Sequence, residues 1–310
     1  MKRDTFVDDL HDDRRTEKQS VQLTSLVTNR LFYYSMQDKP EYQEEVKLLD
    51  YIFNQLDVDD ETKKGFEAMK KFIPRVPGEL FNRHYAIMKE IENLEEEGAK
   101  TLVIGACGLT PLGIVFSQKG NMEVYDTDLD DVVECRKKIN PETGANYHLQ
   151  NLDLLDTEKV KEFASKLPKV KSTMLVEGLT LYLDDEMRRK FHENLKVISR
   201  TLDDNVSFVF DYYVSKLTSG ERDLVKDESD PDWKSFIGLV NNVHYGQKCR
   251  METREDLVAY LKSEGFKNIK ISDYSNEDNA HTILVCDFKP GVKESKPKKP
   301  YIVLDSIMFL

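Results

Sequence analysis

Thr101-Leu-Val-Ile-Gly105-Ala-Cys107-Gly108-Leu-Thr-Pro-Leu-Gly113 reads as a buried strand running into a turn of small residues and then into a helix. Strands of a parallel sheet covered on both faces are short continuous apolar runs, each followed by a crossover helix. Glycines in such a turn let the backbone approach a ligand closely, and the amides of the following helix N-terminus face whatever binds there. Gly105, Gly108 and Gly113 do not keep the Gly-x-Gly-x-x-Gly spacing, and no Walker Lys-Ser/Thr pair follows. The turn alone therefore specifies neither a dinucleotide nor a hydrolysable nucleotide.

Outward from this segment the same alternation repeats. Further strands are expected at Met122 to Asp126, Ala145 to Gln150, Thr173 to Glu177, Val206 to Asp211, Asn268 to Asp273 and Thr282 to Phe288. Helices are expected at Leu112 to Lys119, Leu129 to Ile139, Glu158 to Lys166, Glu186 to Leu202 and Arg254 to Gly265. Strands separated by amphipathic helices form a doubly wound, Rossmann-like α/β sheet, and the last two runs, with no helix between them, read as an antiparallel hairpin. Before Gly98 the periodicity is helical: Val21 to Phe32, Val46 to Leu56, Asp60 to Phe72 and Leu80 to Leu94. The expected organisation is a helical extension or lid at 1–98, a core at 99–289 with an insertion at about 212–250, and a Lys/Pro linker with an apolar tail at 290–310.

Composition narrows the function classes. The 310 residues carry 45 Lys+Arg against 57 Asp+Glu, a formal net charge of -12, and basic residues cluster only near Lys289 to Lys299. Phosphate backbones are bound through clustered cations, so nucleic acid is not an expected partner. Cys107, Cys135, Cys249 and Cys286 are widely spaced with no histidines at metal-ligand spacing, which predicts neither disulfides nor a zinc site. No apolar run is long enough to span a bilayer and Met1 to Lys18 has no apolar centre, so a cytoplasmic protein with no membrane partner is expected.

Acidic residues at strand ends are the most suggestive feature of the core. Asp128, with Asp126 as second choice, ends the second strand where a ribose-diol acceptor belongs; Asp128 is also a candidate helix N-cap. Asp153 follows the third strand and can accept from an adenine amino group, with Leu152 or Leu154 packing on the ring. Glu177 ends the apolar run Met174-Leu-Val-Glu177-Gly178, and a carboxylate there is costly to bury without a cation. A sulfonium-bearing amino-acid ligand supplies one; a nicotinamide dinucleotide supplies phosphates instead.

The segments Val103-Ile-Gly-Ala-Cys-Gly-Leu-Thr-Pro111, Val124-Tyr-Asp-Thr-Asp-Leu129, Asn151-Leu-Asp-Leu154 and above all Val176-Glu-Gly-Leu-Thr-Leu-Tyr-Leu183 resemble the leucine carboxyl methyltransferase family, which includes bacterial relatives acting on small acids. The resemblance implies a class I methyltransferase fold, a seven-stranded sheet with an N-terminal helical extension, and S-adenosylmethionine as cofactor. It implies cofactor contacts at Arg83, Gly105, Ala106, Asp128, Leu129, Asp153, Leu154, Glu177 and Gly178, with Arg83 clamping the cofactor carboxylate. It also points to Arg30 as an N-terminal basic residue near the acceptor. His84 and Tyr245 are further candidates for the acceptor, and Tyr182 and His244 for catalysis. Gly108-Leu-Thr-Pro-Leu-Gly113 departs from the family's turn and lacks the arginine that follows it.

The expected activity is O-methylation of a carboxylate, or a hydroxyl, on a small molecule or a peptide C-terminus. A carboxylate acceptor needs no base, whereas a hydroxyl needs one. The expectation leaves room for a homodimer. Alternatives are an NAD(P)-dependent oxidoreductase and a non-catalytic module that binds S-adenosylmethionine.

Overall fold

The computed structural model describes residues 17–56, 60–72, 76–139, 141–214, 230, 232–233, 251, 253–275 and 281–289. Four helices lead in: α1 (Glu17–Met36), α2 (Gln43–Gln55), α3 (Asp60–Phe72) and α4 (Val76–Glu96). The alternating part follows as β1 (Thr101–Gly105), α5 (Leu112–Lys119), β2 (Glu123–Asp128), α6 (Asp130–Ile139), β3 (Tyr147–Asn151), α7 (Thr157–Lys166) and β4 (Ser172–Val176). It continues as α8 (Asp185–Thr201), β5 (Val206–Tyr213), α9 (Arg254–Ser263), β6 (Lys267–Ile271) and β7 (His281–Asp287). All seven expected strands form, and β2 and β5 each continue two residues past their predicted ends, to Asp128 and Tyr213.

The strand order is β3-β2-β1-β4-β5-β7-β6. Strands β1 to β5 pair in parallel, and β7 lies antiparallel between β5 and β6. Every residue of β1 and β4 is buried, which is why both read as unbroken apolar runs. Several helix boundaries have local causes. Asp156 and Asp184 cap α7 and α8, Thr253 and Asp256 form a capping box on α9, and Gly120 ends α5 in the left-handed conformation.

Two cores flank the sheet. One face packs Val103, Met174, Phe208, Phe210 and Leu284 against α7, α8 and α9. The other packs Ile104, Leu175, Val209 and Ile283 into a core shared with Leu26, Phe32, Leu49, Ile87 and Ile91 of the lead-in. The first helices thus complete the sheet's second face, with α4 lying directly on β5 and β7. No helix among the described residues is long and apolar enough to cross a membrane. Most of the expected insertion at 212–250 and the whole tail from 290 lie outside the described residues.

Candidate active site

Because β1 to β5 run in parallel, their carboxyl ends share one edge of the sheet. Antiparallel β7 begins at that edge, where His281 pairs with Tyr213. Two turns on this edge carry the polar side chains, one after β1 and one after β4.

The turn after β1 is a closed network. Ala106 and Gly108 both have φ of 52°, in the left-handed region, and the Cys107 amide donates to Thr127 O at 3.0 Å. The Gly108 and Leu129 amides donate to the two Asp128 carboxylate oxygens, each at 2.7 Å. The Leu109 amide donates to Ser25 Oγ of α1 at 3.0 Å. Beneath the turn Arg136 of α6 is buried, donating from Nη1 to the carbonyls of Gly108 (2.9 Å) and Thr110 (3.0 Å). Its Nη2 reaches Asp126 at 2.6 Å and Tyr147 Oη at 2.9 Å, and Tyr147 donates to Asp126 at 2.8 Å. Asp126 is fully enclosed, which leaves Asp128 as the acid of β2 that reaches the edge.

The glycines of this turn are required by the protein itself. A Cβ at Gly105 would lie 2.8 Å from Leu154 Cδ1, one at Gly108 would overlap Ser25 Oγ, and one at Gly113 would overlap the Asp126 carboxylate. Close approach at these three glycines is already required by Leu154, Ser25 and Asp126.

The turn after β4 is open. Arg83 of α4 places Nη2 2.8 Å from Glu177 Oε1 and Nη1 3.4 Å from Asp211 Oδ2, all with side chains less than a tenth exposed. Asp211 accepts from the Gly178 amide at 2.6 Å, lies 3.3 Å from His281 Nδ1, and its backbone carbonyl accepts from Thr180 Oγ1 at 2.9 Å. Burial alone would raise the Asp211 pKa, but His281, Arg83 and the Gly178 amide outweigh it and hold the carboxyl below its usual range. Asp128, by contrast, is raised by burial despite its two amide donors. Among the described residues, Arg83 Nε has no hydrogen-bond partner, and Glu177 Oε1, though ion-paired, receives no donor in hydrogen-bond geometry. Gly178 has φ of 71°, and among the described residues none but its chain neighbours comes within 4 Å of where its Cβ would stand.

The structure therefore brings Arg83, Glu177 and Gly178 together at one turn, and Gly105, Ala106, Asp128 and Leu129 at the other. Asp153, half-buried after β3, accepts from the Leu155 amide at 2.8 Å, while Leu152 and Leu154 are buried beside it. Tyr182 packs with Leu181 and Tyr213 in a small cluster apart from the two main cores. Arg30 lies over the rings of Tyr33, Tyr34 and Phe53, with centroids 4.8–5.2 Å away. His84 is fully buried, 2.7 Å from Glu45 and packed by Phe32 and Tyr42. That enclosure corrects its expected role: it cannot touch an acceptor at the sheet edge. His244 and Tyr245 lie outside the described residues.

Asp211, His281 and Arg136 were not anticipated from the sequence. Asp211 carried a usable signal, since Val206-Ser-Phe-Val-Phe-Asp211-Tyr sets a carboxylate in an apolar strand as Glu177 does. Arg136, inside the charged run Glu134-Cys-Arg-Lys-Lys138, carried none.

The strand order, with only β7 reversed, defines the seven-stranded class I methyltransferase fold. Among solved structures, a DUF574-family protein from Streptomyces avermitilis superposes with a TM-score of 0.55 at 15% identity, over 78% of this chain and 95% of that one. A candidate methyltransferase from Thermobifida fusca gives 0.51 at 11% identity, over 78% and 93%. These likenesses establish the fold. No family model matches the chain, and no curated protein matches it in sequence.

Proposed function

We propose that the chain is an S-adenosylmethionine-dependent O-methyltransferase acting on a carboxylate or hydroxyl of a small molecule or peptide C-terminus. One observation carries the proposal. Among the described residues, a buried cation, Arg83, and a buried anion, Glu177, keep unspent hydrogen-bonding capacity, and nothing beyond the chain neighbours of Gly178 fills the place of its Cβ. Buried polar groups are normally satisfied, and an ion pair that keeps an unspent donor on its cation and an unspent acceptor on its anion suits a ligand carrying both signs. The fold, the methyltransferase assignment of the Thermobifida fusca protein and the motif resemblance to the leucine carboxyl methyltransferase family support the same reading.

When bound, the cofactor supplies a methyl group on a positively charged sulfur. Arg83 would take its carboxylate through the guanidinium fork, and Glu177 its ammonium. Asp128 would accept from the ribose hydroxyls, since each carboxylate oxygen retains a lone pair beyond its amide donor. Asp153 would take the adenine amino group, beside Leu152 and Leu154. Methyl transfer asks a protein mainly for alignment and exclusion of water. Asp211 aligns the β4 turn by tying Gly178, Arg83 and Thr180 to β5. The lead-in reaches the β1 turn through Ser25, as a lid would.

Calorimetric titration with S-adenosylhomocysteine tests the cofactor. Wild type is expected to bind, and Glu177→Ala and Asp128→Ala to weaken binding at least about tenfold, or about 1.4 kcal/mol. No binding to wild type, or unchanged affinity in both variants, overturns the proposal, as would heat with NAD(P) instead. A labelled-methyl screen of small acids and alcohols then reads the acceptor.

A further inference from the structure

We infer that Asn29 of α1 completes the cofactor pocket from the helical lead-in, its Oδ1 accepting a hydrogen bond from the cofactor's ammonium opposite Glu177. The inference rests on the cofactor reading above and deepens it, because it gives the amino-acid end of the ligand a contact outside the sheet.

The strand order locates the site. From β1 the chain moves outward through β2 to β3 on one side, and from β4 to β5 on the other, so the order reverses between neighbouring β1 and β4. In an open α/β sheet the ligand crevice lies at the carboxyl ends of the strands flanking that reversal. Helix α1 crosses this crevice. Ser25 meets the turn after β1, its Oγ accepting from the Leu109 amide at 3.0 Å. About two helical turns on, the Phe32 ring lies 5.3 Å from the guanidinium of Arg83, the partner of Glu177 after β4. Residues at i, i+4 and i+7 share one helix face. Asn29 therefore stands between Ser25 and Phe32, roughly 5 Å along the axis from each.

Asn29 is 4% exposed. Its Nδ2 donates to the Ser25 carbonyl at 2.8 Å, and because a carbonyl only accepts, that bond fixes which end of the amide is nitrogen. Oδ1 is the other end, and among the described residues it has no hydrogen-bond partner. A buried acceptor without a donor destabilises the fold, and asparagine is a poor helix former besides. Neither the helix nor the core accounts for the residue; a donor-bearing ligand does. The next residue, Arg30, is turned away by about 100°. It is engaged elsewhere, donating from Nε to Tyr34 Oη at 3.3 Å and lying over the rings of Tyr33, Tyr34 and Phe53.

Three of the orphaned atoms match an α-amino acid. Arg83 Nε is a donor, while Glu177 Oε1 and Asn29 Oδ1 are acceptors. A ligand carboxylate takes from the arginine, and an ammonium, with three N–H bonds to give, serves both acceptors. A carboxamide oxygen does this without adding negative charge beside Glu177 and Asp211, which already share Arg83.

Two ligands distinguish a contact from a brace: S-adenosylhomocysteine and its deaminated analogue, in which hydrogen replaces the ammonium. Their affinities for the full chain are read by displacement of labelled S-adenosylhomocysteine. Asn29→Leu keeps the side-chain volume and Asn29→Ala empties it, so a loss common to both is not steric. Each variant should weaken S-adenosylhomocysteine about tenfold and the analogue less than about twofold. Without ligand, Asn29→Leu should melt no lower than wild type, since it removes an orphaned oxygen and supplies a better helix former. Equal weakening of both ligands overturns the assignment, as does unchanged affinity for S-adenosylhomocysteine in both variants, whatever their melting temperatures. A wild type that binds neither ligand would instead sink the cofactor reading, a separate result.

Discussion

The turns after β1 and β4 are built from the same materials, a buried arginine, buried carboxylates and glycines with positive φ, yet they differ in what is left over. At the first, Arg136 spends its two terminal nitrogens on two carbonyls, Asp126 and Tyr147. Its orphan atoms among the described residues include Thr110 Oγ1 and Asp126 Oδ1, both buried, the latter pressed against Gly113. At the second, among the described residues, the orphans are Arg83 Nε and Glu177 Oε1, and only the chain neighbours of Gly178 approach the place of its Cβ. A closed network holds backbone in place; an open one waits for a partner. Glycine content does not distinguish the two turns, but the space around each glycine does.

The comparison breaks most easily at Arg136. Arg136→Met leaves Asp126 buried without its cation, and loss of one member of a buried pair costs about 3–5 kcal/mol. Urea unfolding should show that loss as a lower midpoint at constant slope. A stability loss below about 1 kcal/mol would mean that the first network is not structural.

A second test uses the opposite faces of β5. Asp211 points to the open network, while the next residue, Tyr212, points into the other core and meets His192 Nε2 at 2.9 Å. Burial, with Arg188 and Lys196 nearby, lowers the His192 pKa to about 3 despite the Glu264 carboxylate 3.3 Å away. The unfolded chain takes up this proton near the ordinary value of about 6.5. Below that pH the unfolded state binds more protons than the folded one, so stability falls as pH drops from 6.5 towards 3. The linkage slope is about 1.4 kcal/mol per pH unit, or about 2 kcal/mol between pH 6.5 and 5. Unfolding free energies across that range should show the slope in wild type and a shallower one in His192→Gln. Equal slopes would show that His192 titrates normally.

The sheet was legible because a parallel strand buried on both faces leaves an unbroken apolar run, and Thr101 to Gly105 and Ser172 to Val176 are buried throughout. Glu177 and Asp128 were legible because a carboxylate at the end of such a run needs a reason. The same reason covered Asp211, but two more apolar residues, Tyr212 and Tyr213, continue that strand and blur its end. Arg136, Ser25 and His281 were illegible because their roles depend on tertiary neighbours 28, 84 and 70 residues away in sequence. His84 misled for the complementary reason. Its position beside Arg83 on a helix turns it to a different face, into Glu45 and the core.

At the open turn the expected effect is on binding rather than folding. Arg83→Lys keeps a positive charge for Glu177 and Asp211 but loses the planar fork and the unspent Nε donor. S-adenosylhomocysteine affinity should fall roughly tenfold, about 1.4 kcal/mol, with thermal stability nearly unchanged. If stability falls and affinity does not, the second network is as structural as the first.

The smallest effect belongs to Ser25, which joins the lead-in to the first turn. Its Oγ accepts from the Leu109 amide and occupies the space that a Cβ at Gly108 would fill. Ser25→Ala removes one such bond, worth about 0.5–1.5 kcal/mol, and frees that space. The turn would remain held from below by Arg136 and from the side by Asp128, so the sheet should tolerate the loss. Hydrogen exchange should quicken at the Leu109 amide, while the Gly108 amide, still bonded to Asp128, stays protected. Equal quickening at both would show that α1 holds the whole turn rather than closing over it, and the closed network would then include the helical layer as a working part.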